Sequence, residues 1–419
     1  MCGGVQASTL APRHISLWFC PGMSIFSPLS HATFRTFWIG MSVSTAGFWM
    51  QNITVTWLMR EWSQTDPLLV SLVQTAMFLP VMFLSLPAGV IADRFDRRIL
   101  LIIAHSVMAA TPIIIAGSIL LGVQSPSLLL LMTVVLAAGN AMKLPTQSAL
   151  LPDLVATPEL PSAIGLNSMA VNGGRVAGPL VSAGLLPFLG PIALLFANAL
   201  TYCSFIIILA RLKLEQSATV VRAKTSLRED VRELVSFTLA DKKFQATLLR
   251  SGLYFAVWST VLAILPLLVA DAREFGFVYA NFGLGSIVGA VAMEPVRRYL
   301  GNEFTLNVAI IGHAIFIAGL TLFESIAAMS ACLFAVGAMS FYVMSTFQIA
   351  AQTVLPRHLR GRGLALMTTV MMGATALSSP VWGSLAELWS PSTALQAAAI
   401  FSAVSLALTF RKKVIPENL

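Results

Sequence analysis

The sequence predicts an all-α membrane protein with twelve transmembrane helices in two pseudo-symmetric six-helix bundles. Three observations predict it: the composition, a set of apolar stretches of spanning length, and a motif written twice. Of 419 residues, 57% are hydrophobic and only 11% are charged, with a mean hydropathy of +0.82, whereas a soluble domain is roughly a quarter charged. A stretch of about 20 apolar residues suffices to cross a bilayer, because each helical residue rises roughly 1.5 Å through a core of roughly 30 Å.

Taken in order, the apolar stretches of the first half are 34–59, 68–91, 99–122, 127–150, 163–187 and 190–210. Those of the second half are 244–269, 276–296, 304–324, 327–350, 363–387 and 392–410. Residues 1–33 and 412–419 are tails, 211–243 is a polar linker, and 34–210 and 244–411 are the two halves. The repeat supports the division. Residues 89–98 read GVIADRFDRR and residues 289–298 read GAVAMEPVRR, QSALLP at 147–152 returns as QTVLP at 352–356, and Gly178-Pro179 returns as Ser379-Pro380. Such repetition points to transporters built from two similar halves.

Basic residues collect in every second loop: Arg97 and Arg98, the 211–243 linker, Arg297 and Arg298, Arg360 and Arg362, and Arg411 to Lys413. The intervening loops hold Arg60 and Arg273. Cytoplasmic loops carry the excess of Lys and Arg, so both termini and the linker are placed inside. The formal charge of +8 is then a topology signal plus attraction to an anionic inner leaflet, with no nucleic-acid signature in it. Within the linker, Leu227, Val231, Leu234 and Val235 fall at helical spacing among charges, which suits either an amphipathic helix on the inner membrane surface or a solvated tether. The first 30 residues show no clean secretory signal; they read as a tail, or as sequence upstream of a start at Met23. The four cysteines show no paired or metal-ligand spacing, so no disulfide framework, metal or cofactor is expected.

With two six-span halves and GVIADRFDRR between spans 2 and 3, the chain resembles the major facilitator superfamily over residues 30–411. Gly89, Asp93, Arg94, Arg97 and Arg98 match that family's loop signature, while Asp96 stands where Gly is usual. Asp tolerates the left-handed turn that Gly permits, so the loop is expected to survive. The resemblance implies a cytoplasmic latch that braces the halves when the inner gate is closed, with Arg360 and Arg362 at the start of span 11 as the partner surface. Plain positive-inside anchoring would explain the arginines but not Gly89 and Asp93. Gly174, Arg175, Gly178, Pro179 and Gly184 in span 5 are similar to the exporter motif, although Ser182-Ala183 replaces its final glycine pair. The strings PTQSALLPDLV at 145–155, RVAG at 175–178 and LRGRGLAL at 359–366 resemble bacterial exporters of the enterobactin-exporter and drug-efflux branch. Members of that branch commonly have Gly-Asp-Trp in span 1. Here Gly47-Phe48-Trp49 lacks the carboxylate, which puts conventional proton coupling at that site in doubt.

A charge at the centre of a spanning helix costs at least roughly 2.5 to 3.5 kcal/mol. Arg175 lies near mid-depth and should face a partner or the cavity, serving gating or anion recognition, or else bonding backbone carbonyls. Lys143 and Arg250 lie nearer the inner face, where long side chains snorkel. His105 and His313 read as packed core residues in supporting spans. By resemblance the cavity wall draws on spans 1, 4, 7 and 10 with help from 2, 5, 8 and 11. Its candidates are Trp49, Gln51, Asn52, Gln74, Asn140, Gln147, Tyr254, Trp258, Asn281, Tyr342, Gln348 and Trp382. Aromatic faces with a few amides suit a bulky amphipathic or aromatic ligand.

These readings predict a multi-pass protein of the bacterial inner membrane that exports a small siderophore- or drug-like molecule by alternating access. Protons are the expected coupling ion, and a monomer the expected state. The alternatives are a transport-inactive sensor or assembly partner, and an importer of a small organic solute. A membrane enzyme would need a nucleophile, metal cluster or acid pair, and no His-x-x-x-His, Cys-x-x-Cys or GxSxG arrangement occurs.

Overall fold

The computed structural model describes residues 26–212, 227–323, 325–356 and 358–414; the side chains of residues 86, 90, 93, 94, 227–230 and 294 lie outside that description. The described residues form helices and no strand. In order these are α1 (Ala32–Trp62), α2 (Pro67–Arg94), α3 (Arg97–Leu120), α4 (Pro126–Leu150), α5 (Leu160–Arg211), α6 (Leu227–Ala240), α7 (Lys242–Leu268), α8 (Ala272–Leu300), α9 (Asn302–Gly319), α10 (Ile326–Val354), α11 (Arg360–Leu388) and α12 (Pro391–Thr409).

Helix starts are set by local chemistry. Asp66, Ser125, Asp241 and Ser390 each accept a hydrogen bond from the backbone N–H three residues on, opening α2, α4, α7 and α12. A proline follows the cap in α2, α4 and α12, at the position where its missing N–H is not needed. Asp96 does the same for α3, accepting from Arg98 and Ile99 N–H at 2.8 and 3.1 Å. Its φ of −58° and ψ of 115° correct the expectation of a left-handed turn. Asp takes the glycine's place because it is a helix cap, not because it tolerates positive φ.

Among the described residues, ten helical segments are long and apolar enough to cross a membrane. Two differences from the sequence expectation explain the number. The expected fifth and sixth spans are continuous in α5, whose 52 residues would reach roughly 78 Å if straight; it breaks at Gly190, with φ 72° and ψ 170°, just before Pro191. The other is α1, which is long enough but carries Gln51, Asn52 and many hydroxyls and is less apolar. In the linker, α6 is helical with Val231, Val235 and Leu239 exposed and Leu234 buried, while residues 213–226 lie outside the described residues. The second copy of the repeated motif also departs from the first. Residues 289–298 stay inside α8, which ends only at Gly301 with φ 77°.

α1 packs along α5, α3 against α4 and α5, and α2 against α4; in the later part α8 packs on α10, α9 on α10 and α12, and α7 on α11 and α12. The two groups meet chiefly along α2 with α11 and α5 with α8. Small residues make these meetings possible. A Cβ built on Gly178 would sit 2.4 Å from the Ala46 carbonyl oxygen of α1, and one on Gly276 would sit 2.5 Å from the Ala183 carbonyl oxygen of α5.

Candidate functional site

At the Arg60 end of the molecule the two groups are sealed together. Trp57 stacks on Phe275 with centroids 5.4 Å apart, the Arg60 guanidinium lies over Trp57, and its Nη2 donates to the Val269 carbonyl at 2.8 Å. Along α2 and α11, Ser379 donates to the Ser71 carbonyl and Thr75 to that of Ala376, both at 2.8 Å. Leu180 and Ala183 of α5 press on Gly283 and Gly276 of α8.

Beyond this seam lies a cavity of about 310 Å³, within the usual range for small-molecule sites. Trp49 of α1 and Phe78 of α2 line it, with Ser168, Asn172, Arg175 and Val176 of α5. The facing wall comes from Phe255 and Trp258 of α7, Tyr279, Phe282, Ser286 and Met293 of α8, and Met371 and Met372 of α11. α10 gives Ser340 and then Phe341, Met344, Ser345, Gln348, Ile349 and Gln352, whose spacings of three and four place them on one helical face. Arg175 is half-buried, with its guanidinium carbon 5.7 Å from the Trp49 ring centroid. Trp49 touches Phe78, and Phe78 touches Trp258, each at 6.4 Å between centroids. An aromatic wall therefore joins helices from both parts of the chain.

Of the expected cavity residues, Trp49, Trp258 and Gln348 line this cavity. The others lie off it. Asn198 donates to Gln51, Gln51 to Thr111, Gln74 to Thr56 and Gln147 to Asn167, so these amides bond helix to helix. Asn52 and Asn140 are buried, and the Asn281 amide donates to the Phe277 carbonyl on its own helix. The Tyr254 hydroxyl donates to Ser340, Tyr342 is buried, and the Trp382 indole donates to the Ala256 carbonyl. Arg175 was placed by its charge alone. The α10 face could have been found from its periodicity.

In the span 5 motif, Gly174 and Gly178 face Thr45, Ala46 and Trp49 of α1, while open space lies beside Gly184. Pro179 is buried inside α5. The expected latch residues Asp93 and Arg94 have side chains outside the described residues. A Cβ on Gly89 would meet nothing within 4 Å. Arg97 pairs with Asp153 at 2.9 Å and Arg98 donates to the Ala210 carbonyl. Arg360 is exposed, and Arg362 and His358 both reach Glu233 of α6, at 3.1 and 3.3 Å.

Snorkelling is corrected at both basic residues. Lys143 is 2% exposed, with its ammonium 5.8 Å from the ring of Phe48, the residue standing where the resemblance expects a carboxylate. Arg250 is 2% exposed and bonds Glu303, Asn307 and the Lys412 carbonyl. His105 and His313 are fully buried, against Phe205 and Tyr254 respectively.

Comparison with known proteins decides the family. The family described as Transmembrane secretion effector matches residues 23–418. The chain belongs to that family, within the major facilitator superfamily. It is 22% identical to the Staphyloferrin A transporter of Staphylococcus aureus over 77% of this chain and 81% of that one. It is 24% identical to the Enterobactin exporter EntS of Shigella boydii serotype 18, covering 86% and 87%. With the Multidrug efflux pump Tap of Mycolicibacterium fortuitum it shares 23% identity, covering 76% and 80%. Among solved structures, a nucleoside transporter, NupG, superposes with a TM-score of 0.72 at 13% identity, covering 91% of this chain and 98% of that chain. A D-xylose-proton symporter superposes at 0.69 and 14%, also covering 91% and 98%. The fold is that of the superfamily, and the protein is a multi-pass membrane transporter, not an enzyme.

Proposed function

We propose that this transporter is a secondary exporter of a small amphipathic or aromatic molecule, working by alternating access and coupled to protons. The observation that carries the reading is the aromatic cavity walled by helices from both parts of the chain and sealed at the Arg60 end. A cavity shared between two rocking units, closed on one side, is what alternating access requires. The siderophore and efflux relatives support export of a bulky organic solute. In this reading the chain crosses the bacterial inner membrane twelve times as a monomer, α1 and both segments of α5 included. Residues 34–210 and 244–411 are then two six-helix halves, and the 211–243 linker and both termini are cytoplasmic. The sealed Arg60 end faces outward. Asp93 with Arg94, Arg97 and Arg98 then latches toward the start of α11 when the inner side closes.

The reading is tested in everted membrane vesicles carrying an imposed proton gradient, with 1-naphthoate as the transported probe. Gradient-dependent accumulation is expected, and Asp93→Asn is expected to lower it about tenfold, roughly 1.4 kcal/mol of lost stabilisation, at unchanged protein level. Accumulation indifferent to the gradient would remove the coupling, and none at all would favour a sensor, the reading to which the missing carboxylate at Phe48 lends weight. Orientation is checked separately with Ser217→Cys, which an impermeant maleimide is expected to label only after the membrane is opened.

A further inference from the structure

Among the described residues that line the cavity, Arg175 is the charged one and none is a carboxylate. Among the described residues its guanidinium makes no hydrogen bond or ion pair, its Nε is buried without a partner, and its contact is the Trp49 face. No backbone carbonyl among the described residues receives it either. On the opposite wall, the Trp258 indole N–H is likewise buried without a partner. Both groups donate and neither accepts. Between them run the rings of Trp49 and Phe78.

We infer that the transported molecule is an aromatic anion, its charged group bonded by Arg175 and its ring laid along Trp49, Phe78 and Trp258, and that the site rejects organic cations of the same shape. The inference rests on the cavity being the transport site and narrows its substrate class. A carboxylate or catecholate gives Arg175 the paired acceptors that its planar fork fits. An ammonium of equal size brings further donors to unpaired donors and a like charge to the guanidinium. A site that leaves buried polar groups unpaired discriminates more strongly than one that merely loses apolar contact.

The test is a matched pair, 1-naphthoate and 1-naphthylmethylammonium, titrated by calorimetry into the purified full-length protein in detergent. The naphthoate is expected to bind at least about tenfold more tightly. Arg175→Gln is expected to bring the two probes within about twofold of each other, whereas Arg175→Lys, which keeps the charge and loses the fork, retains a preference for the anion. Trp258→Phe keeps an aromatic face on that wall, and because 1-naphthoate has no oxygen beyond the carboxylate held by Arg175, it is expected to leave the preference between the probes within about twofold of the unmodified value. Melting curves of each variant separate these effects from misfolding, and should Arg175→Gln not fold, the Lys variant decides. Equal or tighter binding of the ammonium by the unmodified protein, binding of neither probe, or an intact preference in Arg175→Gln overturns the inference. Binding needs no gradient, so a sign preference without vesicle export would sink the exporter reading alone. Export of both probes at equal rates would sink this one alone.

Discussion

Gly276→Val is expected to reduce export to a few per cent of the unmodified rate while leaving the amount of folded protein nearly unchanged. The reason is what stands beside the glycine. A Cβ there would lie 2.5 Å from the carbonyl oxygen of Ala183 and 3.1 Å from its Cα, so it meets backbone, and backbone of the facing group of helices. The clash is relieved by parting α5 from α8 at the Arg60 end without disturbing either group internally. Overpacking costs typically about 1–3 kcal/mol, and a bias of ~3 kcal/mol shifts a two-state equilibrium by more than a hundredfold. The cavity would stay open at the Arg60 end and fail to close there. Gly283→Ala provides the contrast. Its nearest neighbour is the Leu180 side chain at 2.9 Å, which can rotate away, so less than a twofold change is expected. A cysteine introduced at Leu180 should react faster with an impermeant thiol reagent when Gly276 is valine. Unchanged labelling with normal export would show that this seam does not have to close.

The legible and illegible parts of the chain divide on physical grounds. Helices were visible because membrane-length apolar stretches and their charged ends are one-dimensional properties; the α5 break was visible as the gap between the stretches 163–187 and 190–210, although Gly-Pro alone does not mark it, since Gly178-Pro179 in the same helix runs through. The apolarity of α1 was overestimated, because its amides and hydroxyls are spread among large side chains. The cavity was harder to read. A glutamine in a spanning helix meets the same requirement, a partner for its amide, whether that partner is solute, water or the next helix. Gln51, Gln74 and Gln147 took the next helix, and nothing in their local sequence distinguishes them from Gln348, which faces the cavity. Arg175 was singled out because a charge at mid-depth is too costly to be decorative. Snorkelling failed for Arg250 for a related reason. The sequence shows how far a side chain can reach, but not that Glu303, 53 positions away, waits beside it.

That pair yields the second large effect. Arg250 has 1% of its side chain exposed and Glu303 has 23%, so the arginine is the member that depends on its partner. Glu303 also accepts from the Val414 N–H at 3.1 Å, tying the start of α9 to the segment after α12. Removing one partner of a buried pair typically costs about 3–5 kcal/mol, because the remaining charge is left desolvated. Asn307 and the Lys412 carbonyl still hold the guanidinium in Glu303→Ala, which argues for the lower end, ~3 kcal/mol. The measurement is thermal unfolding in detergent, in which Glu303→Ala is expected to melt well below the unmodified protein. Arg250→Met, which removes the buried charge and leaves the more exposed Glu303 to solvent, is expected to lose clearly less. The double variant Arg250→Met with Glu303→Leu is expected to recover most of the loss, since well-packed apolar replacements of buried ion pairs are often neutral. None of these changes touches the cavity, so the folded fraction of each variant should keep the probe preference assigned to Arg175. If Glu303→Ala melted with the unmodified protein, the remaining acceptors would be sufficient on their own, and Glu303 would be left only its bond to Val414.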